Sequence, residues 1–142
     1  DMRIPLSKHI VHQIKTHPRI YNIGWQKDVR PALAISNILV LPSYREGFPN
    51  TPLQAGAMQL PCIVTDINGC NEIITSDFNG WLVPAKNSTL LYDSMLNSMS
   101  VENLTELGTN ARANIKRRFE KSVHLQSLLN YYTELLANLN KR

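Results

Sequence analysis

The stretch "NILVLPSYREGFPNTPLQAGAMQLPCIVTD", residues 37–66, spans one strand, a loop, a helix and a second strand. "NILVLP" and "CIVTD" are short apolar runs bounded by turn residues, the pattern of buried strands. Ile38 to Leu41 are apolar without alternation, as expected of a strand covered on both faces. Residues 52–59 carry a helical pattern. Between them lies a loop, 43–50, that packs Arg45, Glu46, Gly47 and Pro49 into a tight space.

Further out, two more segments read as strands, "RIYNIG" (19–24) and "GWLVP" (80–84). Helical patterns fall at 6–16, 29–36 and 71–75. This alternation predicts a Rossmann-like α/β fold: a parallel sheet of about four strands, right-handed crossovers and helices on both faces. After Pro84 no strand follows. Residues 87–99, 101–119 and 121–139 read as helices, so 1–142 divides into an α/β part (1–86) and a helical tail (87–142). In the last helix Leu125, Leu128, Leu129, Tyr132, Leu135, Leu136 and Leu139 recur at helical spacing, which predicts core packing.

Composition narrows the function. The 142 residues suit one domain with one core. Hydrophobic residues make up 43% and charged residues 18%, a balance that folds. No apolar run approaches the roughly 20 residues that span a bilayer, and no secretory signal pattern opens the sequence. Cys62 and Cys70 fit no metal spacing and read as reduced thiols of a cytoplasmic protein. The net charge of +4 is concentrated in "ARANIKRRFEK" and in Lys141 and Arg142. With no nucleic-acid motif or aromatic stacking pattern beside it, this is a solvated helix face. His9, His12, His17 and His124 lack the companions of a metal set. No serine or cysteine nucleophile motif is visible.

The loop 43–50 has its own chemistry. In open parallel sheets, ligands bind beyond the carboxyl ends of the strands. A helix N-terminus follows, with free backbone N–H groups and the positive end of a dipole. Thr51 suits the N-cap and Pro52 the first helical position, while Gly47 lets backbone approach a ligand. These parts make an anion site without lysine. A carboxylate only accepts hydrogen bonds, so Glu46 suits a pair of neighbouring hydroxyls, as on a sugar ring. The alternative is a solvated loop glutamate.

"PSYREGFPNTPLQAGAMQLPCIVTDINGCNEI", followed by "NGWLVP", resembles the nucleotide half of family-4 retaining glycosyltransferases of the GT-B architecture, bacterial polysaccharide-building enzymes among them. The lead-in "IYNIGWQKDVRPALAISNILVLPS" and the later "ARANIKRRFEKSV" extend the resemblance over nearly the whole chain. It implies that Glu46 is the first acid of an E-x7-E motif beside the donor sugar, and the catalytic residue carried by this half. Gly47, Phe48, Pro49, Asn50 and Thr51 then meet the sugar and diphosphate. The turn at Gly24, Trp25 and Gln26 meets the base; the other reading of Trp25 is a side chain packed on a helix. The second acid is replaced by Gln54, at the ribose position. Glutamine keeps an acceptor oxygen but loses the charge, which weakens nucleotide binding roughly tenfold. Alternatively, Gln54 closes a capping box with Thr51. Asp66, Asn68, Gly69, Cys70 and Glu72 form a second strand-end cluster, with Glu72 read as structural.

The resemblance further implies sugar transfer from a nucleotide-diphosphate sugar to an acceptor hydroxyl with retention, without a metal or other cofactor. It implies an N-terminal domain that holds the acceptor glycan or lipid-linked sugar, and two further strands in a sheet ordered 3-2-1-4-5-6. The family's leaving-group arginine and lysine have no counterpart in this sequence. The expectation is therefore a fragment inactive by itself, from a cytoplasmic enzyme working at the inner membrane face. A degenerate GT-B domain serving as a nucleotide-sugar-binding or interaction module is the alternative. A flavodoxin-like interaction domain without ligand leaves Glu46 to Pro49 unexplained. The sequence leaves the donor, base and acceptor open.

Overall fold

The computed structural model describes residues 6–139. In chain order the elements are α1 (Lys8–Thr16), α2 (Arg30–Ala34), β1 (Leu39–Leu41), α3 (Asn50–Ala57), β2 (Cys62–Thr65), α4 (Cys70–Ile73), β3 (Gly80–Val83), α5 (Ser88–Ser98), α6 (Leu104–Arg118) and α7 (Lys121–Leu139). The three strands form a parallel sheet in the order β1-β2-β3.

The register explains the layering. Leu39 pairs with Cys62, Val40 with Ile63 and Leu41 with Val64; Val64 pairs in turn with Leu82. Side chains alternate along each strand, so Leu39, Leu41, Cys62, Val64 and Leu82 share one face. There they pack with Ala55, Cys70, Ile73, Ile74 and Ile115 from α3, α4 and α6. Val40 and Ile63 point to the other face, where they meet Tyr92, Met95 and Leu96 of α5. All four residues of β2 are buried, which is why it lacks a polar–apolar alternation. Each fully buried aliphatic side chain here contributes about 1.5–3 kcal/mol.

The end of α4 is pinned from two sides. The Ile73 carbonyl accepts hydrogen bonds from the amides of buried Asn79 and Asn114, each at 3.0 Å. One carbonyl has two lone pairs, and both are used. Asn79 Oδ1 also accepts from the Thr75 N–H at 2.7 Å. These contacts fix the α4–β3 connection and tie it to α6 through Asn114.

Three expectations are corrected. "RIYNIG" forms no strand: Ile20, Tyr21 and Ile23 are exposed. Strand geometry is held by a neighbour's backbone, and no described strand pairs with this segment. Local bonds bend it instead, from the Ile20 N–H to the His17 carbonyl and from the Gly24 N–H to Asn22 Oδ1. The sheet therefore has three strands, not four. Second, α3 starts at Asn50 with Pro49 in the N-cap position. Pro49 is extended at φ −74°, ψ 127°, which sets the cap two residues before the predicted Thr51. Third, no residue of α7 is buried. Its leucine stripe is exposed, with Leu129 at 60% and Leu136 at 62%; among the described elements its main contact is with α6.

Candidate functional site

The loop between β1 and α3 places its residues at the carboxyl end of the sheet. Ser43 and Glu46 are half-buried, Pro49 is buried, and Gly47, Phe48 and Asn50 are exposed. Glu46 shares a pocket of about 290 Å³ with Tyr44, Arg45, Ile67 and Asn68. The pocket thus joins the loop after β1 to the loop after β2. Its polar lining combines an acceptor-only carboxylate with Arg45 and Asn68, both of which donate.

Glycine at 69 makes the junction between these loops. It has φ +80°, and a Cβ there would stand 2.2 Å from the Gly47 carbonyl oxygen and 3.0 Å from Pro49 Cδ. The two loops approach this closely only because the side chain is absent. On the outer side Phe48 packs its ring against Phe119 at the end of α6, with centroids 5.5 Å apart. The Arg118 guanidinium lies 4.7 Å from the Phe119 ring centre, on the same cluster.

The start of α3 has few donors, and they are well placed. The first four N–H groups of a helix, counted from the N-cap, have no intrahelical partner. Two of those positions are Pro49 and Pro52, which have no N–H. The remaining two are Asn50 and Thr51, both exposed. Helix polarity concentrates partial positive charge on this pair. No side chain caps the helix, so Thr51 and Gln54 do not form the capping box. Gln54 is exposed and lies one turn beyond Asn50 on the same helix face.

Gln54 lines a second groove, of about 450 Å³, together with Gln26, Lys27, Asp28, Arg30 and Leu33. The structure therefore brings Gln54 and Gln26 to one groove, although 27 residues separate them in the chain, while Gly24 and Trp25 do not line it. Gly24 turns at φ +62°, and the Gln26 amide donates to the Ile23 carbonyl. Trp25 is 86% exposed, which overturns its reading as a side chain packed on a helix. Beside it Arg30 grips Asp28 through Nε at 2.9 Å and NH2 at 2.8 Å. These bonds hold the Asp28 carboxyl down to about 2.

The second strand-end cluster is split in its roles. Asn68 lines the Glu46 pocket, and Asn71 donates to Asp66 at 2.9 Å. Glu72 is exposed in the first turn of α4. Cys70 is fully buried. Burial pushes its thiol up, and the nearby charge of Glu46 adds to the effect. Cys62 is pushed up to about 12, again by burial first and then by Cys70. Both thiols are free and stay protonated at neutral pH. Among the described residues no group of three His, Cys, Asp or Glu side chains gathers.

The profile of the family "Glycosyl transferases group 1" matches residues 4–100. The chain belongs to the group 1 glycosyltransferases. Among its relatives is an Escherichia coli UDP-Gal:α-D-GlcNAc-diphosphoundecaprenol α-1,3-galactosyltransferase, 28% identical over 84% of this chain and 31% of the relative. A Campylobacter jejuni N,N'-diacetylbacillosaminyl-diphospho-undecaprenol α-1,3-N-acetylgalactosaminyltransferase is 30% identical over 84% of this chain and 32% of that protein. The chain thus spans about a third of the length of these curated relatives. Among solved structures, Anabaena HepE in complex with UDP superposes with a TM-score of 0.82 at 19% identity, covering 89% of this chain and 36% of that one. The C-terminal domain of the Francisella tularensis group 1 protein LpcC gives 0.68 at 26% identity, covering 80% and 60%. The likeness to HepE shows the fold; the match to the LpcC C-terminal domain fits this chain to a C-terminal half. No helix among the described residues is long and apolar enough to cross a membrane.

Sequence reasoning missed several lining residues. Tyr44 lines the Glu46 pocket as a chain neighbour, and Ile67 comes to it through folding, as does the Asp28–Arg30 pair to the Gln54 groove. Ser43 had a local signal, a hydroxyl three residues before the acid. Thr65 had none, because it reaches the loop only across the strand pair.

Proposed function

We propose that this domain is the donor-binding part of a retaining glycosyltransferase. It takes a nucleotide-diphosphate sugar whose sugar is transferred to an acceptor hydroxyl in capsular or surface polysaccharide synthesis. The observation that carries the reading is the juxtaposition at the sheet's carboxyl end. A half-buried acid, Glu46, opens a loop that ends in two exposed helix amides, Asn50 and Thr51, with Gln54 one turn further on.

Each part has a chemical task. The amides of Asn50 and Thr51 hold the diphosphate, and the helix dipole stabilises its charge as it leaves. Glu46, turned from the phosphates, accepts hydrogen bonds from the sugar hydroxyls. Gln54 accepts from the ribose. Gln26, in the groove that Gln54 lines, and the adjoining Gly24 and Trp25 border the base. No metal is required by this assignment, because the donors to the diphosphate come from the protein. The acceptor is a glycan or lipid-linked sugar held by the remainder of a longer enzyme at the inner face of the cytoplasmic membrane. The relatives named for undecaprenol-linked acceptors support that class of substrate.

The test is an NMR titration of the 142-residue chain with UDP-galactose, GDP-mannose and ADP-glucose in turn. One donor should shift amides within 24–26 and 46–54. Shifts confined to other surfaces, or none with any donor, would refute the assignment.

A further inference from the structure

We propose that Ser43 and Thr65 are positioning residues that hold the Glu46 carboxylate for the donor sugar. This rests on the donor-binding reading above and assigns roles to two residues outside the loop motif.

The observation is a two-step tether. The Thr65 hydroxyl donates to the Ser43 carbonyl oxygen, and the Ser43 hydroxyl donates to Glu46 Oε1 at 2.6 Å. Thr65 is the last residue of β2 and is 3% exposed. Its backbone is held in the ladder opposite Val83. Ser43 lies just past β1, so the tether runs from the rigid sheet through one residue to the acid. Both of its links pass through Ser43. No backbone–backbone hydrogen bond outside the helices and strands involves residues 43–48 among the described residues. The other restraints on this segment are packing contacts, of Gly69 on Gly47 and of Phe48 on Phe119.

The tether also selects an oxygen. A carboxylate has two acceptor oxygens. Ser43 takes Oε1, and Oε2 has no partner among the described residues. The hydroxyl–carboxylate distance is that of a charge-assisted bond, roughly twice as strong as a neutral one. It restricts the side-chain torsions of Glu46 before any ligand arrives, so less ordering remains for binding. Without Ser43 the carboxylate keeps its charge and its place in the chain but loses its fixed direction. The sugar should sense that loss, and the diphosphate, held by backbone amides, should not.

The test compares matched pairs: UDP with UDP-galactose, GDP with GDP-mannose and ADP with ADP-glucose. Dissociation constants are measured by calorimetry for the unaltered chain, Ser43→Ala, Ser43→Thr, Thr65→Val and Thr65→Ser. For the pair that binds, Ser43→Ala should weaken the sugar nucleotide about tenfold and leave the diphosphate within about twofold. Thr65→Val should act in the same direction, and Ser43→Thr and Thr65→Ser should restore binding. A Ser43→Ala chain that binds the sugar nucleotide as tightly as the original overturns the inference, and so does one that loses both ligands equally. If the unaltered chain binds neither member of any pair, the donor-binding reading itself fails, and the positioning role fails with it.

Discussion

A Cβ atom on residue 69 would stand 2.2 Å from the Gly47 carbonyl oxygen, inside any permitted contact. The loop that carries the acid and the loop after β2 are therefore fitted together at a glycine, itself at φ +80°. Gly69→Ala adds both a clash with backbone and the cost of a left-handed alanine. We expect a loss of about 2–4 kcal/mol in unfolding free energy, measured by urea denaturation. Loop displacement should weaken donor binding in the same variant. A stability change under about 0.5 kcal/mol would contradict the packing.

Gln54 is a neutral acceptor in an exposed groove. Gln54→Glu supplies a charged acceptor without disturbing the core. Hydrogen bonds to charged groups contribute about 1.5–3 kcal/mol against about 1 for neutral ones. Nucleotide affinity should rise roughly tenfold by calorimetry at neutral pH, with the unfolding midpoint unchanged. Unchanged or weaker affinity would separate Gln54 from the ribose.

Cys62 gives a pH signature. Its thiol is raised from 9.0 to about 12, first by burial and then by Cys70. The unfolded chain releases this proton near 9 while the folded chain retains it. Stability should therefore fall as pH rises from 9 to 12, and level off for this group once the folded thiol ionises. Cys62→Ala removes this titration and, below pH 9, lowers stability through lost packing. The difference between the two curves should narrow across that window, as followed by chemical denaturation. A constant difference would show that the folded thiol titrates normally.

The α7 stripe is exposed, so its substitution should be mild. Leu129→Ser and Leu136→Ser are each expected to change the stability of the 142-residue chain by less than about 0.5 kcal/mol. Ile63→Ala, in fully buried β2, should cost about 2–5 kcal/mol. A large effect at Leu129 would place α7 in the core.

Much of this fold was legible because its elements carry local signals. "CIVT" is an apolar run buried between layers, "ILVL" gives the edge strand β1, half-buried rather than covered on both faces, and the helices after Pro84 follow clear periodicity. "RIYNIG" carries the same kind of signal, yet β-propensity needs a pairing partner, and none is described. The periodicity of α7 identified a helix but not its neighbour, since an apolar stripe names a buried face without naming what buries it. At the site, the acid and the helix start were visible as a motif. The cap was misplaced by two residues because Pro49 competes with Thr51 as a boundary. The gathering of Gln26 with Gln54, and the tether from Thr65, depend on contacts across the chain that spacing does not reveal.

The central claim is the placement of the donor at Glu46, Asn50 and Thr51. It is tested most directly by a crystal structure of a longer protein that carries this domain together with the remainder of a group 1 glycosyltransferase, grown with its sugar nucleotide. The account predicts diphosphate oxygens within about 3 Å of the Asn50 and Thr51 nitrogens and a sugar hydroxyl on the Glu46 carboxylate. Density for the diphosphate away from the start of α3, with Glu46 touching no part of the sugar, would contradict it.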